Sequence, residues 1–408
     1  MKYKPIITSL LDCDLYKFTM QRAFLSKFAN INAVYEFKDR TRVEYTHEMI
    51  EEIRWQIDHL CKLRFTEDEI KYIANIYFMK DAKFYHEFLR MFKLNREYLS
   101  VSWGINNTLE IVASGPIWSV SMFEIYILAI VNEVYFKYIT NRMMDGDSAK
   151  MIYEGKRILH DGLAEIENKE PYRFIFTDFG TRRRFSKEWQ KEIIKKCISY
   201  SSESGKYKFI GTSNVMFAKE FNITPIGTMA HEFIQLGQAL DCVTLANSQK
   251  YMLQAWADEY RGDLGTALSD TLTTDYFLKH DFDKYFSKLF DGVRHDSGDP
   301  IVFGEKMIEH YKQMGIDPTT KTIIFSDGLD LQSAFKIAKH FYKRIKVSFG
   351  IGTKLTNNFG HWIKPLNIVM KMTSANGKPV MKISDVSGKS MCKDEQFATY
   401  LTSIVTGK

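Results

Sequence analysis

TIIFSDGLDLQSAFKIAKHFYKRIKVSFGIGT, Thr322 to Thr353, is the stretch whose reading decides the fold. TIIF and KVSFGI are short apolar runs rich in β-branched and aromatic residues, the composition of buried strands. LQSAFKIAKHFYKRI between them spaces its apolar residues as a helix does. Strand, helix, strand in that order implies parallel pairing, because parallel neighbours need a long crossover. Each strand also runs into a polar, glycine-containing loop, SDGLD or GIGT, rather than a two-residue hairpin turn.

Outward from this unit the same alternation recurs from about residue 146. YRFIFTDFG, KFIGTSN, ITPIGT and FDGVRHDSG read as strands, and VFGEKMIEHYKQM as a helix. The predicted fold class is α/β, with a parallel sheet, open or closed into a (β/α) barrel, over residues 146–360. Loops after the strands would then share one face and build the site. Residues 1–145 read as an α/β appendage of amphipathic helices, such as EMIEEIRWQIDHLCKLRF, with short strands such as INAVYEFKD. NIVMKMTSANGKPVMKISD reads as a hairpin around Asn376-Gly377, so that 361–408 returns to the appendage.

The chain has 408 residues, 45% of them hydrophobic, enough for a large core. Lys plus Arg number 56 against 50 Asp plus Glu, an excess of 6 that suits anionic small molecules and falls short of a nucleic-acid footprint. Five scattered cysteines without a CxxC pair or metal-ligand spacing fit a reducing compartment. The start MKYKPIITSLLDCD lacks the apolar core of a signal peptide, and the apolar stretch 117–136 is broken by Glu124, Asn132 and Glu133. The expectation is a cytoplasmic protein with neither membrane nor nucleic acid as partner.

Chemistry-bearing residues gather where the strands end. GTMAHEF, 227–233, puts His231 at a strand-to-helix junction. A single histidine is more often packing than catalysis; its company raises it. DFGTRRR, 178–184, joins Phe179 to three arginines that suit a flat anionic ring, although three adjacent arginines are more often a solvated loop. Arg182 leads among them. DGVRHDSGDP, 291–300, crowds Asp296 and Asp299 beside Arg294, which suits Mg2+ with a phosphorylated substrate as well as it suits a plain turn. SDGLD repeats the acidic-glycine pattern, and Gly350, Gly352, Thr353 and Lys354 in FGIGTK offer donors for a phosphate. Gly388-Lys389-Ser390 ends like a P-loop, but Ile383 stands where its first glycine is required.

Taken in order, LLDCDLYKFTMQ, DFGTRRRFS, GTSN, GTMAHE, LANSQ, RHDSGDP, FSDGLDL and FGIGTKLTNN span nearly the whole chain and resemble nicotinate phosphoribosyltransferases. The resemblance implies an irregular, incomplete α/β barrel of the type II phosphoribosyltransferase fold with an α/β appendage. It implies a homodimer with shared active sites, and condensation of nicotinate with 5-phosphoribosyl 1-pyrophosphate, coupled to ATP hydrolysis, in salvage synthesis of NAD.

Carried over to this sequence, the resemblance implies His231 as a transient phosphohistidine and catalytic roles for Arg294 and Asp296. Phe179, and Tyr16 from a partner subunit, would stack on the pyridine; Arg182 and Arg183 would engage its acid or nearby phosphates. Related nicotinamide enzymes carry an aspartate where Ser213 stands, so a neutral donor there, with Thr212 and Asn214 beside it, favours a carboxylate substrate. Asp270 and Asp296 would face Mg2+, Asp327 and Gly328 the ribose, and Gly350, Gly352, Thr353 and Lys354 the 5-phosphate. Cys13 stands where threonine is usual, and Lys354 where arginine often follows GIGT; a lysine offers a point charge instead of a fork. Rival expectations are a nicotinamide or quinolinate phosphoribosyltransferase, and a non-catalytic sensor of phosphorylated sugars.

Overall fold

The computed structural model describes residues 3–167, 174–204, 207–383 and 392–407. Gly388-Lys389-Ser390 lies outside the described residues. Among the described residues the strands form two sheets.

One sheet is antiparallel and built from β1 (Asn32–Asp39), β2 (Leu99–Trp103), β3 (Leu109–Pro116), β11 (Ile368–Ala375) and β12 (Lys378–Pro379). The order is β12-β11-β1-β3-β2, so the C-terminal hairpin pairs with the first strand of the chain, Ala33 opposite Ala375 through Asp39 opposite Ile368. The hairpin turns at Asn376 and Gly377, with φ of 47° and 74°. Successive positive φ values of this kind are what an Asn-Gly turn supplies at least cost.

The other sheet is parallel throughout: β4 (Phe174–Asp178), β5 (Tyr207–Thr212), β6 (Thr224–Pro225), β7 (Thr266–Leu268), β8 (Gly292–His295), β9 (Thr322–Phe325) and β10 (Lys346–Ile351). Its order, β6-β5-β4-β10-β9-β8-β7, is the cyclic order of a barrel with β4 joined to β10. The ring is left unpaired between β6 and β7, which makes it a half-barrel.

Local chemistry explains where the sequence pattern and the structure part. ITPIGT pairs over only Thr224–Pro225, because a proline has no N–H for a ladder and stands on an edge. The strand Thr266–Leu268 has three residues, too few to show a period. The helices between β8 and β10, Pro300–Gln313 and Leu331–His340, overlie the expected segments, except that the second stops at His340 and the remaining FYKRI of its predicted run is turn leading into β10. Both begin on aspartate caps: Asp299 accepts from Ile301 and Val302 N–H, and Asp330 forms a capping box with Ser333.

The apolar segment Ile117–Thr140 is long and apolar enough to span a bilayer by composition, yet 94% of its most apolar window is buried inside the fold. Its polar residues face designated partners: Asn132 Nδ2 donates to Arg184 O, and Glu133 takes the Arg184 guanidinium at 2.6 Å. This helix is the post against which appendage and half-barrel pack. All five cysteines are free thiols.

Candidate active site

The rim at the C-terminal ends of the parallel strands gathers most of the residues singled out in the sequence, since a parallel sheet aims all its following loops one way. β6 leads through the glycine loop to His231, the first residue of the helix His231–Leu236. β7 leads to Asp270, directly across the open seam, and His231 Nε2 lies 2.7 Å from Asp270 Oδ1. β8 leads to Asp296, whose Oδ2 is 3.6 Å from His231 Nδ1 and 3.5 Å from Arg294 Nη2. Arg294 also donates to Met229 O at 3.0 Å, tying β8 to the loop ahead of the histidine.

These neighbours set the protonation of the group. Burial holds the His231 pKa below its ordinary value, Lys382 adds to that, and Asp270 and Asp296 only partly oppose it. The ring is therefore neutral at pH 7, with its proton on Nε2 facing Asp270 and its lone pair on Nδ1. Burial would raise the Asp270 carboxyl, but His231 and Lys382 hold it well below the carboxylate range. Asp296 is lowered as well: burial opposes, and the Arg294 guanidinium prevails.

Where the resemblance placed Asp270 beside Mg2+, the structure gives both its oxygens protein donors. Oδ1 takes His231, while Oδ2 takes Ser297 Oγ and, at 2.6 Å, Lys382 Nζ. Asp296 is less committed: Oδ1 accepts from Ser326 Oγ at 2.9 Å, and the side chain is 27% exposed. Among the described residues no group of three or more His, Cys, Asp or Glu side chains is arranged to hold a metal.

The three successive arginines have three different jobs. Arg184 is fully buried, pairing with Asp12 at 2.6 Å and Glu133 at 2.6 Å, and it pins the N-terminal segment to the central helix. Arg183 donates to Ile368 O and Asn367 Oδ1, clamping the half-barrel to β11. Burial and the neighbouring Arg182 and Arg40 bring the Arg183 pKa down to about 9. Arg182 keeps a looser contact, 3.8 Å from Glu124, with its side chain 45% exposed. It is the guanidinium of the three with room for an anion.

Phe179 follows β4, its N–H donating to Ile351 O. Its ring lies on Gly350, where an added Cβ would come within 2.2 Å of Phe179 Cδ2. Gly350 is thus the space in which the ring sits, and Gly352 passes beneath the Phe179 carbonyl. Thr353 opens the short helix Thr353–Thr356, and Lys354 reaches Asp330 at 3.1 Å. Gly328 makes the turn after β9 at φ 64°, next to half-buried Asp327.

Tyr16, which the resemblance would supply to a partner's site, lies on the rim of its own half-barrel. The helix Leu15–Lys27 is held on its own rim by Leu15 N–H to Ser213 O and Thr19 Oγ1 to Thr228 O. Thr212 is fully buried and spends its hydroxyl on Asp178 Oδ2. Ser213 Oγ donates to Asp14 Oδ1 at 2.8 Å, and Asn214 Nδ2 donates to Asp12.

Two lysines had no site role in the sequence reading. Lys17, fully buried, bridges Glu124 at 2.6 Å and Glu232, the neighbour of His231. Lys382 reaches Asp270 from the segment after β12. Lys17 stood in a quoted cluster, whereas Lys382 sits 112 residues from its partner with no local pattern to announce it.

A half-barrel of parallel strands thus carries a histidine-carboxylate pair and a loosely held arginine on its C-terminal rim, the place where barrel enzymes of the α/β class build their active sites. The nicotinate phosphoribosyltransferase (NAPRTase) family profile matches residues 174–405, and the profile of the NAPRTase N-terminal domain matches 11–132. Relatives named nicotinate phosphoribosyltransferase are 46% identical in Chromobacterium violaceum, covering 99% of this chain and 98% of that one, and 45% in Acinetobacter baylyi, covering 99% and 97%. A crystal structure of nicotinate phosphoribosyltransferase from Vibrio cholerae aligns with TM-score 0.90 at 36% identity, covering 98% of this chain and 94% of that one. The corresponding structure from Porphyromonas gingivalis gives 0.87 at 35%, covering 98% and 100%. The chain belongs to the nicotinate phosphoribosyltransferase family.

Proposed function

We propose that this chain joins nicotinate to 5-phosphoribosyl 1-pyrophosphate, releasing pyrophosphate, and that ATP drives the reaction through transient phosphorylation of His231 in salvage synthesis of NAD. The observation that carries the ATP step is the His231–Asp270 pair: Nε2 is occupied at 2.7 Å, which leaves the Nδ1 lone pair as the nucleophile. In that step Nδ1 bonds to the γ-phosphorus of ATP, the bond to the bridging oxygen breaks, and ADP leaves. The positive charge that develops on the imidazole is met by Asp270, already ionised. Water later takes the phosphoryl group and restores the ring.

The glycosyl step needs no general base, because the pyridine nitrogen attacks C1 of the ribose with its own lone pair as the C1–O bond to pyrophosphate breaks. Catalysis is then positioning and charge neutralisation. Arg182 is suited to the nicotinate carboxylate or a phosphate, Phe179 and Tyr16 to the ring, and Arg294 to the departing pyrophosphate. Asp327 and Gly328 would serve the ribose, and the backbone of Gly352 and Thr353 the 5-phosphate; Lys354 serves it only by leaving Asp330.

Magnesium fits this rim through Asp296, since Mg2+ is commonly held by one or two carboxylates together with substrate phosphates. Bound there, it would neutralise charge on the pyrophosphate. Asp270 does not fit as a ligand in this arrangement, with three protein donors on its oxygens.

The test is an assay of the purified protein with nicotinate, phosphoribosyl pyrophosphate and Mg2+, with and without ATP, reading nicotinate mononucleotide and pyrophosphate. Parallel runs with nicotinamide and quinolinate address the rival substrates. Binding without any product would point to a sensor.

A further inference from the structure

Ser213 and Asp14 share one hydrogen bond whose direction decides what this part of the rim offers a ligand. Ser213 Oγ donates to Asp14 Oδ1 at 2.8 Å, and the residues are 3% and 4% exposed. The pair is locked by backbone: Asp14 forms a β-bridge with Asn214, and Leu15 N–H donates to Ser213 O at 2.8 Å.

A serine hydroxyl has one proton. While Asp14 is ionised it holds that proton's bond, and Ser213 turns only lone pairs toward a ligand, a face that accepts from an amide and repels a carboxylate. With a proton on Asp14 the bond reverses. The Asp14 O–H then donates to Ser213 Oγ, and the serine hydrogen turns outward as a donor to a carboxylate.

We propose that Asp14, acting through Ser213, sets the choice between pyridine acid and pyridine amide by taking up one proton from solvent when the acid binds and none when the amide binds. This rests on reading the rim as the nicotinate pocket. It replaces the simpler idea that Ser213 selects the acid merely by being neutral.

The surroundings favour the uptake. Burial is the main influence and lifts the Asp14 carboxyl to about 6, against hydrogen bonds from Ser213 and Thr181 and the charge of Arg182. Asp178 pushes it further up. The other titratable neighbours are Tyr16 and Cys13, both raised well above their ordinary values and so uncharged. Lys17, the buried ammonium on the next turn, is committed to Glu124 and Glu232. A second carboxylate entering this site raises Asp14 again, because like charges in one buried site do not both ionise.

The experiment is calorimetric titration of the intact protein with nicotinate and with nicotinamide at pH 7.5, each in two buffers of different ionisation enthalpy. The expected result is uptake of about one proton per nicotinate and none per nicotinamide. Nicotinate affinity should fall about tenfold per pH unit above neutrality, the slope of a single linked proton. Asp14→Asn, whose amide N–H can donate to Ser213 Oγ permanently, should bind nicotinate with no uptake and a flat pH profile. Zero uptake by the wild type, or uptake that persists in Asp14→Asn, overturns the proposal. If Asp14→Asn does not fold, the wild-type contrast between acid and amide decides it. Failure of the wild type to bind nicotinate at any pH would instead remove the proposed function.

Discussion

His231 Nε2 and Asp270 Oδ1 meet at 2.7 Å across the one gap between neighbouring strands in the half-barrel's cyclic order, β6 supplying the histidine and β7 the aspartate. A closed ladder there would fill that space with backbone. The gap leaves a hydrogen bond between side chains to join the two edges, and Lys382 braces it from the far side of Asp270.

Asp270→Asn keeps the shape and removes the charge that fixes the histidine tautomer. Phosphorylation of His231 by ATP should slow by about 10²-fold or more, the scale seen when an orienting carboxylate is lost. ATP-independent turnover should persist. Rapid-quench measurement of phosphoenzyme formation reads this directly, and an unchanged rate would mean that Asp270 does not orient the ring.

Tyr16 and His231 stand on the rim of one chain; a site that uses its own chain's Tyr16 predicts that two damaged proteins do not repair each other. Mixtures of Tyr16→Ala and His231→Asn, unfolded and refolded together, should show no more activity than the separate variants. Recovery to about a quarter of wild type, the statistical yield of a site built from two chains, would show that Tyr16 acts in a partner's site.

Gly350→Ala places a methyl group where the Phe179 ring lies, 2.2 Å from Cδ2. The ring must turn or shift, and the KM for nicotinate should rise about tenfold or more while that for phosphoribosyl pyrophosphate changes less. Equal change in both constants would place Gly350 in phosphate binding instead.

Asp281 is buried, hydrogen-bonded by Gln249, and raised by that burial to about 7. Its folded pKa exceeds its unfolded one, so its contribution to stability is complete below about pH 4 and is lost as pH rises toward 7. Asp281→Asn should therefore raise Tm at pH 8 relative to wild type and lose that advantage at pH 4.5. The difference is a few kcal/mol at most, at about 1.4 kcal/mol per pKa unit. A Tm difference that does not vary with pH would contradict the assignment.

The parallel sheet was legible because runs such as TIIF and KVSFGI are continuous and end in polar glycine loops, and those loops brought Phe179, His231, Asp296 and Asp327 to one rim. The open seam was not legible. It depends on Pro225 and on a three-residue strand at 266–268, both below the scale of any periodic signal. Nor could sequence separate the jobs of Arg182, Arg183 and Arg184, since adjacent residues with the same chemistry differ only in what distant segments bring to them. Asp12 and Asp14 lie 172 and 199 residues from the groups they hold, Arg184 and Ser213.

The most direct test of the account is phosphate on His231. The protein, incubated with ATP and Mg2+ and analysed by mass spectrometry under alkaline conditions, should carry one acid-labile phosphate on His231. Adding nicotinate and phosphoribosyl pyrophosphate should discharge it with formation of nicotinate mononucleotide. His231→Asn should take up no phosphate and show no stimulation by ATP. ATP-stimulated synthesis of nicotinate mononucleotide by His231→Asn, or phosphate on another residue, would contradict the account.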